Sequence, residues 1–282
     1  MDKKADWQWE ITAHRDWFRF NLREIFHYKD LLFRFVRRDI IASYQQTILG
    51  PIWVFLQPLL TTLVYYIIFH RVAKISTDDI PPFLFYLPGI IIWSYFSDCV
   101  TSTMNTFQNN AYIFNKVYFP RLIVPLSSIL FHSFRISIQL LLFLGVCLLY
   151  FIRNTALHIG WQILMVPLMI LITAGFALGC GLIISVLTAK YRDLDNITQF
   201  VLRLFMFAAP VVYPASLIPG KYKFLFWLNP LTPAIEIFRS SFFKPEPIHS
   251  IYLLLSILTT CIVLTGGIVL FNKREIQIMD VI

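Results

Sequence analysis

The sequence predicts an all-α polytopic membrane protein with six transmembrane helices, and three observations carry that prediction. Of 282 residues, 57% are hydrophobic and only 14% charged, with a mean hydropathy of +0.67, too little polar surface to cover a soluble domain. The apolar residues fall in continuous runs rather than in short alternating segments, which suits helices that satisfy their own backbone and not a membrane barrel. The runs are also long. Pro51 to Phe69 is nineteen residues without one charge, and at about 1.5 Å per residue such a helix covers most of a hydrocarbon core of roughly 30 Å.

Taken in order, residues 1–50 form an N-terminal segment with nine basic residues, Lys3, Lys4, Arg15, Arg19, Arg23, Lys29, Arg34, Arg37 and Arg38. Phe18, Leu22, Ile25 and Phe26 recur at helical spacing while Arg19 and Arg23 face elsewhere, the pattern of an amphipathic helix in the membrane interface or of a helix packed on protein. A Leu49-Gly50-Pro51 break leads into the first span, Pro51–Phe69, and a polar link, His70–Pro81, follows on the far side. The second run, Pro82–Met104, is interrupted only by Asp98. Asn105–Arg121 is too rich in Asn to span and reads as a cytoplasmic loop with a short helix.

The third run, Leu122–Ile152, holds His132 and Arg135 and exceeds one straight crossing, so tilt or a first turn outside the membrane absorbs the excess. Trp161–Ala189 is the fourth, and its Gly175 and Gly179 make a GxxxG that serves either packing within the chain or contact between subunits. After the charged link Lys190–Asn196, the fifth run, Ile197–Tyr213, carries Arg203 and stops where Pro210 and Pro214 bracket a break. Phe224–Leu228 and Leu231–Phe243 are too short to cross and read as re-entrant segments, permissible only where protein or a watery cavity satisfies their backbone. Ile251–Phe271 is the sixth span.

Positive-inside bias places fifteen Lys and Arg on the side of the N-terminus and seven opposite, with both termini cytoplasmic. The N-terminus lacks the apolar centre and cleavage residues of a signal peptide, so the first span is expected to direct insertion. No repeat and no Ser-, Gly- or Pro-rich linker divides the chain, giving one membrane domain, residues 51–282, with residues 1–50 as its interfacial appendage.

The net charge of +8 sits beside membrane segments, which points to lipid headgroups and not to nucleic acid. Cys99, Cys147, Cys180 and Cys261 lie in apolar runs without paired spacing and read as small core residues. The six histidines show no ligand spacing, so no metal site is expected. Gly220-Lys221 is the lone Gly-Lys pair, without the rest of a phosphate-binding loop, so the chain is expected to bind no ATP and to take any energy from another subunit. No cofactor is implied. Asp98, Arg135 and Arg203 are the formal charges inside spans and hence functional candidates; Asp98 and Arg203 each sit ~9 Å from the inner end of their run, a depth at which they could pair. Trp53, Phe55, Tyr65, Tyr66, Trp93, Tyr95, Phe96, Phe207 and Tyr213 suit either stacking on sugars or anchoring at the interface.

The runs RRDIIASYQQTILGPIWVFLQPLLTTLVYYIIF, NAYIFNKVYFPRLIVPL, KYRDLDN, PVVYP and LNPLTPAIEIFR together resemble the permease subunits of ABC transporters that export polysaccharides, especially lipid-linked O-antigen. The resemblance covers the chain from about Trp17 to its end, although His70 and Asp98 stand where less polar residues are expected. It implies a homodimer of six-span subunits in the bacterial inner membrane, with ATP bound by a separate ABC ATPase subunit that docks on Asn110–Pro120, where Tyr112, Asn115 and Lys116 would carry the coupling. It places Leu49 and Gly50 near a cytoplasmic mouth where a lipid diphosphate enters; Arg34, Arg37 and Arg38 would draw that anion or anchor to lipid headgroups. It makes Ala215–Ser241 a pair of periplasmic gate helices with Glu236 and Arg239 as polar contacts.

The expected function is therefore ATP-driven export of an undecaprenyl-diphosphate-linked glycan, with spans one and five as the wall. Trp53, Phe55, Tyr65, Tyr66, Phe207 and Tyr213 would line it. Export of a capsule polysaccharide, teichoic acid or a drug by a related permease is the alternative, and a membrane glycosyltransferase or acyltransferase is the rival from a different class.

Overall fold

Prolines mark where several of the helices begin, because a missing N–H costs nothing in a first turn. The computed structural model describes residues 22–45, 48, 50–114, 116–117, 119–152, 160–191, 193–243 and 250–279. Helix α1 (Leu22–His27) leads into α2 (Lys29–Tyr44). Pro51 caps α3 (Ile52–Tyr65), which continues as a π-helix over Tyr66–Val72. Pro82 opens α4 (Pro82–Met104), and the short α5 (Thr106–Phe114) precedes α6 (Ile123–Ile152). A 3-10 turn, Trp161–Met165, runs into α7 (Val166–Lys190), and α8 (Leu194–Phe205) follows. Pro219 and Pro230 cap α9 (Gly220–Trp227) and α10 (Leu231–Phe242), and α11 (Ser250–Met279) is last. No strand occurs among the described residues, so the fold is all-α.

Among the described residues, five helices are long and apolar enough to cross a membrane: Ile52–Val72, Pro82–Met104, Ile123–Ile152, Trp161–Lys190 and Ser250–Arg274. The expected fifth run is not among them. There α8 ends at Phe205, a single 3-10 turn covers Met206–Ala208, and Ala209 is already extended at φ −116, ψ 149. Pro210, with no N–H and a ring that crowds the preceding turn, accounts for the stop. The expected re-entrant pieces are the short helices α9 and α10.

Helix α4 is the centre of the bundle, packed by α3, α6, α7 and α10; Leu84, Phe85, Tyr86, Leu87, Ile91 and Ile92 are fully enclosed. Helices α7 and α11 make the closest approach. A Cβ on Gly179 would lie 2.7 Å from the Leu264 nitrogen, and one on Gly267 2.6 Å from the Gly179 oxygen. Among the described residues the GxxxG thus packs within the chain, where small residues let two backbones meet. On the opposite side of α7, a Cβ at Gly181 would fall 2.5 Å from Thr103 Cβ, which locks α7 onto α4.

Helix α2 lies against α6. Phe35 is buried, while Phe26 and Phe33 are exposed. One side of this segment packs on protein and the other is exposed. Phe18 and the side chain of Leu22 lie outside the described residues. With thirty residues, α6 is ~45 Å long, more than one membrane thickness.

Candidate functional site

At the N-terminal side, Gly50 adopts φ 44, the left-handed region that glycine enters without a Cβ penalty. It turns the chain into α3, with Trp53 N donating to the Gly50 oxygen at 3.3 Å. Leu49 lies outside the described residues. Arg34 and Arg37 are exposed on α2. Arg38 is engaged instead: its guanidinium pairs with Asp39 at 2.8 Å, lies 4.8 Å from the Phe35 ring centre, and reaches Asn110 Oδ1 on α5 at 3.4 Å. Of the three arginines expected to draw an anion, Arg38 is thus already tied to protein.

Five aromatic rings continue that link. Phe35 on α2 lies 5.8 Å from Phe119, Phe119 5.6 Å from Phe114, Phe114 6.0 Å from Phe107, and Phe107 stacks on Phe271 of α11 at 4.9 Å. All five are buried. They join α2, α5, the following loop and the last long helix into one apolar cluster. Beside it, Tyr112 and Lys116 are exposed; Asn115 lies outside the described residues. Sequence reading missed the chain of rings because five phenylalanines spread over more than 230 residues carry no local period.

The aromatics assigned to a path do not form one pocket. Trp53, exposed, and Phe55, half-buried, sit near the start of α3, while Tyr65 and Tyr66 sit at its end. Tyr65 donates to Met206 Sδ at 3.2 Å, which brings the end of α3 against the turn after α8. Tyr213 donates to the Phe207 oxygen at 2.6 Å and closes that turn, leaving the Phe207 ring exposed. Tyr66 stacks on His70 at 5.5 Å and accepts from Arg71 Nε at 2.8 Å. The end of α3 and the turn after α8 are therefore neighbours.

The intramembrane charges pair differently from the expectation. Asp98 pairs with Arg135 at 3.1 Å, not with Arg203. The reason is packing: α4 and α6 lie side by side, whereas α8 meets α4 through Phe205, 6.2 Å from Trp93 and 6.3 Å from Phe96. Arg203 points away and is exposed. Two further polar contacts flank the ion pair, Tyr95 with Ser133 at 2.8 Å and Ser102 with His132 at 2.6 Å. Tyr95, Asp98 and Ser102 fall at i, i+3 and i+7, one face of α4, and that spacing was the available signal for a polar seam.

At the opposite end of α4, Arg239 of α10 is 2% exposed. Its guanidinium donates to the Phe85 oxygen at 3.1 Å, the Val211 oxygen at 2.8 Å and Glu236 Oε1 at 3.0 Å, and lies 3.6 Å from the Phe85 ring centre. Gly89 leaves the room: a Cβ there would lie 3.2 Å from Arg239 Nη2. One cation thus holds together α4, α10 and the backbone freed at Pro210, which is how irregular backbone at membrane depth stays satisfied. The expectation of Glu236 and Arg239 as structural contacts agrees with this geometry.

Comparison with known proteins adds the lineage. The family model described as ABC-2 type transporter matches residues 30–243. An O-antigen export system permease protein RfbA of Klebsiella pneumoniae is 26% identical over 94% of this chain and 98% of its own length. An O-antigen export system permease protein RfbA of Myxococcus xanthus is 30% identical over 79% of this chain and 84% of its own. The polysialic acid transport protein KpsM of Escherichia coli is 24% identical over 84% and 91%.

Proposed function

This chain belongs to the ABC-2 type transporter family, and from that premise we propose that it is the membrane-spanning subunit of an ATP-driven exporter of a lipid-linked polysaccharide of O-antigen type. The observation that carries this reading is the seam at which Tyr65 meets Met206. It sets an aromatic-rich helix beside an amphipathic one, as a wall that must pass both sugar faces and hydroxyls requires. Relatives named as O-antigen permeases align along nearly the whole chain, which favours that glycan class over others.

Two copies of the chain would enclose the path between their α3 and α8 faces. Both termini lie in the cytoplasm, with α8 and residues 206–213 making the fifth of six crossings of the bacterial inner membrane. A separate ABC ATPase would dock on Asn110–Pro120 and the adjacent α2. Its stroke passes through the buried rings that join those elements, because packed cores transmit displacement and do not absorb it. The substrate carrier is undecaprenyl diphosphate, admitted beside Gly50, with Arg34 and Arg37 as the free cations.

A capsule exporter is the second reading, supported by the relative named for polysialic acid transport. One experiment separates the two. Depleting this chain in its own bacterium should leave an undecaprenyl-diphosphate-linked glycan accumulating on the cytoplasmic side; accumulation of a phospholipid-anchored capsule polymer instead selects the second reading.

A further inference from the structure

Helix α8 presents three different sectors. At about 100° per residue, Thr198, Leu202 and Phe205 share one side; Leu202 is buried and Phe205 packs on Trp93 and Phe96. Ile197, Phe200, Val201 and Leu204 form a broad second side, each more than half exposed. Between them runs a polar stripe of Asp195, Asn196, Gln199 and Arg203, within which Gln199 donates to Asp195 at 3.4 Å. Arg203 has no partner among the described residues and is exposed. It stands nine residues past the start of α8, ~14 Å along the helix.

Each side needs a different neighbour. The first has protein, and the second suits lipid or a second copy. The stripe suits neither, since lipid against an unpaired guanidinium and two amides is costly, and snorkelling spans only part of that depth. The helix C-terminus favours a cation at position 203 but leaves its five donors unfilled. In a two-fold dimer about the membrane normal, identical residues meet at equal depth. Two stripes facing one another therefore bring like charges together, and dry packing between them is excluded. Water and an anion fit.

We propose that Arg203, supported by Gln199 and Asn196, is a phosphate-contacting residue on a water-filled face of α8, where it receives the diphosphate of the lipid carrier. The proposal rests on the exporter reading above and adds the group that this wall recognises. A planar guanidinium offers paired donors to phosphate oxygens, and two copies supply two cations for one diphosphate.

The test is thiol labelling of the full chain assembled with its ATPase in proteoliposomes, in a background with the four cysteines replaced by alanine. An anionic, membrane-impermeant thiosulfonate is present on both sides. Arg203→Cys and Gln199→Cys should label about tenfold faster than Val201→Cys and Leu204→Cys, since only a hydrated thiol ionises readily. Undecaprenyl diphosphate without glycan should slow labelling of Gln199→Cys, which keeps Arg203 in place, and Arg203→Gln in that background should abolish the protection while Arg203→Lys keeps part of it. Equal labelling of stripe and apolar side, or no diphosphate protection, overturns the proposal. Glycan transport is measured in the same vesicles: transport without protection removes the phosphate contact alone, whereas protection without transport retains that contact and removes the exporter reading.

Discussion

Arg239 Nη2 donates to the Val211 carbonyl at 2.8 Å, and this bond joins a fully enclosed cation to the stretch where the helix after α7 breaks. Arg239→Met takes away the donor that the Phe85 and Val211 oxygens share and the ion pair with Glu236, a loss of about 3–5 kcal/mol. Arg239→Lys should recover little, because an ammonium cannot serve three directions in one plane. Thermal unfolding of the detergent-solubilised protein checks both; a lysine variant as stable as the original contradicts the account.

Gly179→Ala places a methyl group against the α11 backbone, where no side chain can rotate aside. Forcing two helices apart should cost about 1–3 kcal/mol. Gly266→Ala, in the same helix pair but with nothing within 4 Å of its Cβ, should be neutral or stabilising by about 0.5–1 kcal/mol. Equal effects at the two sites in thermal unfolding would remove the close approach as the cause.

A double-mutant cycle decides the partner of Asp98. Asp98→Asn with Arg135→Gln should show a coupling of about 1 kcal/mol or more, the range for residues in direct contact. Asp98→Asn with Arg203→Gln should be additive within ~0.5 kcal/mol. Stability in detergent is the readout, and a coupling to Arg203 larger than that to Arg135 reverses the assignment.

Phe107 is 1% exposed and stacked on Phe271. Phe107→Ala should cost about 3–5 kcal/mol, whereas Phe26→Ala, at a ring 71% exposed, should stay within ~0.5 kcal/mol. The informative second readout is export by the assembled complex. If the rings carry the ATPase stroke, Phe107→Leu should lower export more than it lowers stability.

The helices were legible because apolar runs and their prolines are local. Pro51, Pro82, Pro219 and Pro230 each stand where a helix begins, and the two short helices α9 and α10 were bounded to within a few residues. In the fifth run the break at Pro210 was legible, but the earlier end of the α-helix at Phe205 and the 3-10 turn that follows it were not. Depth along a helix was also insufficient for pairing. Asp98 and Arg203 lie at similar depth, yet which faces meet depends on α4 packing on α6, and no residue spacing within either helix encodes that. Arg38 shows the same limit: three arginines on one basic helix look alike in sequence, but Asp39 and Asn110 claim only one of them.

The most direct test is affinity purification of this chain from its own membranes in mild detergent, with the stoichiometry of what accompanies it. An ABC ATPase should co-purify in equal amount, and the complex should hydrolyse ATP faster when the lipid-linked glycan is added. A chain that purifies alone and folded, with no nucleotide-binding subunit in repeated preparations, contradicts the account.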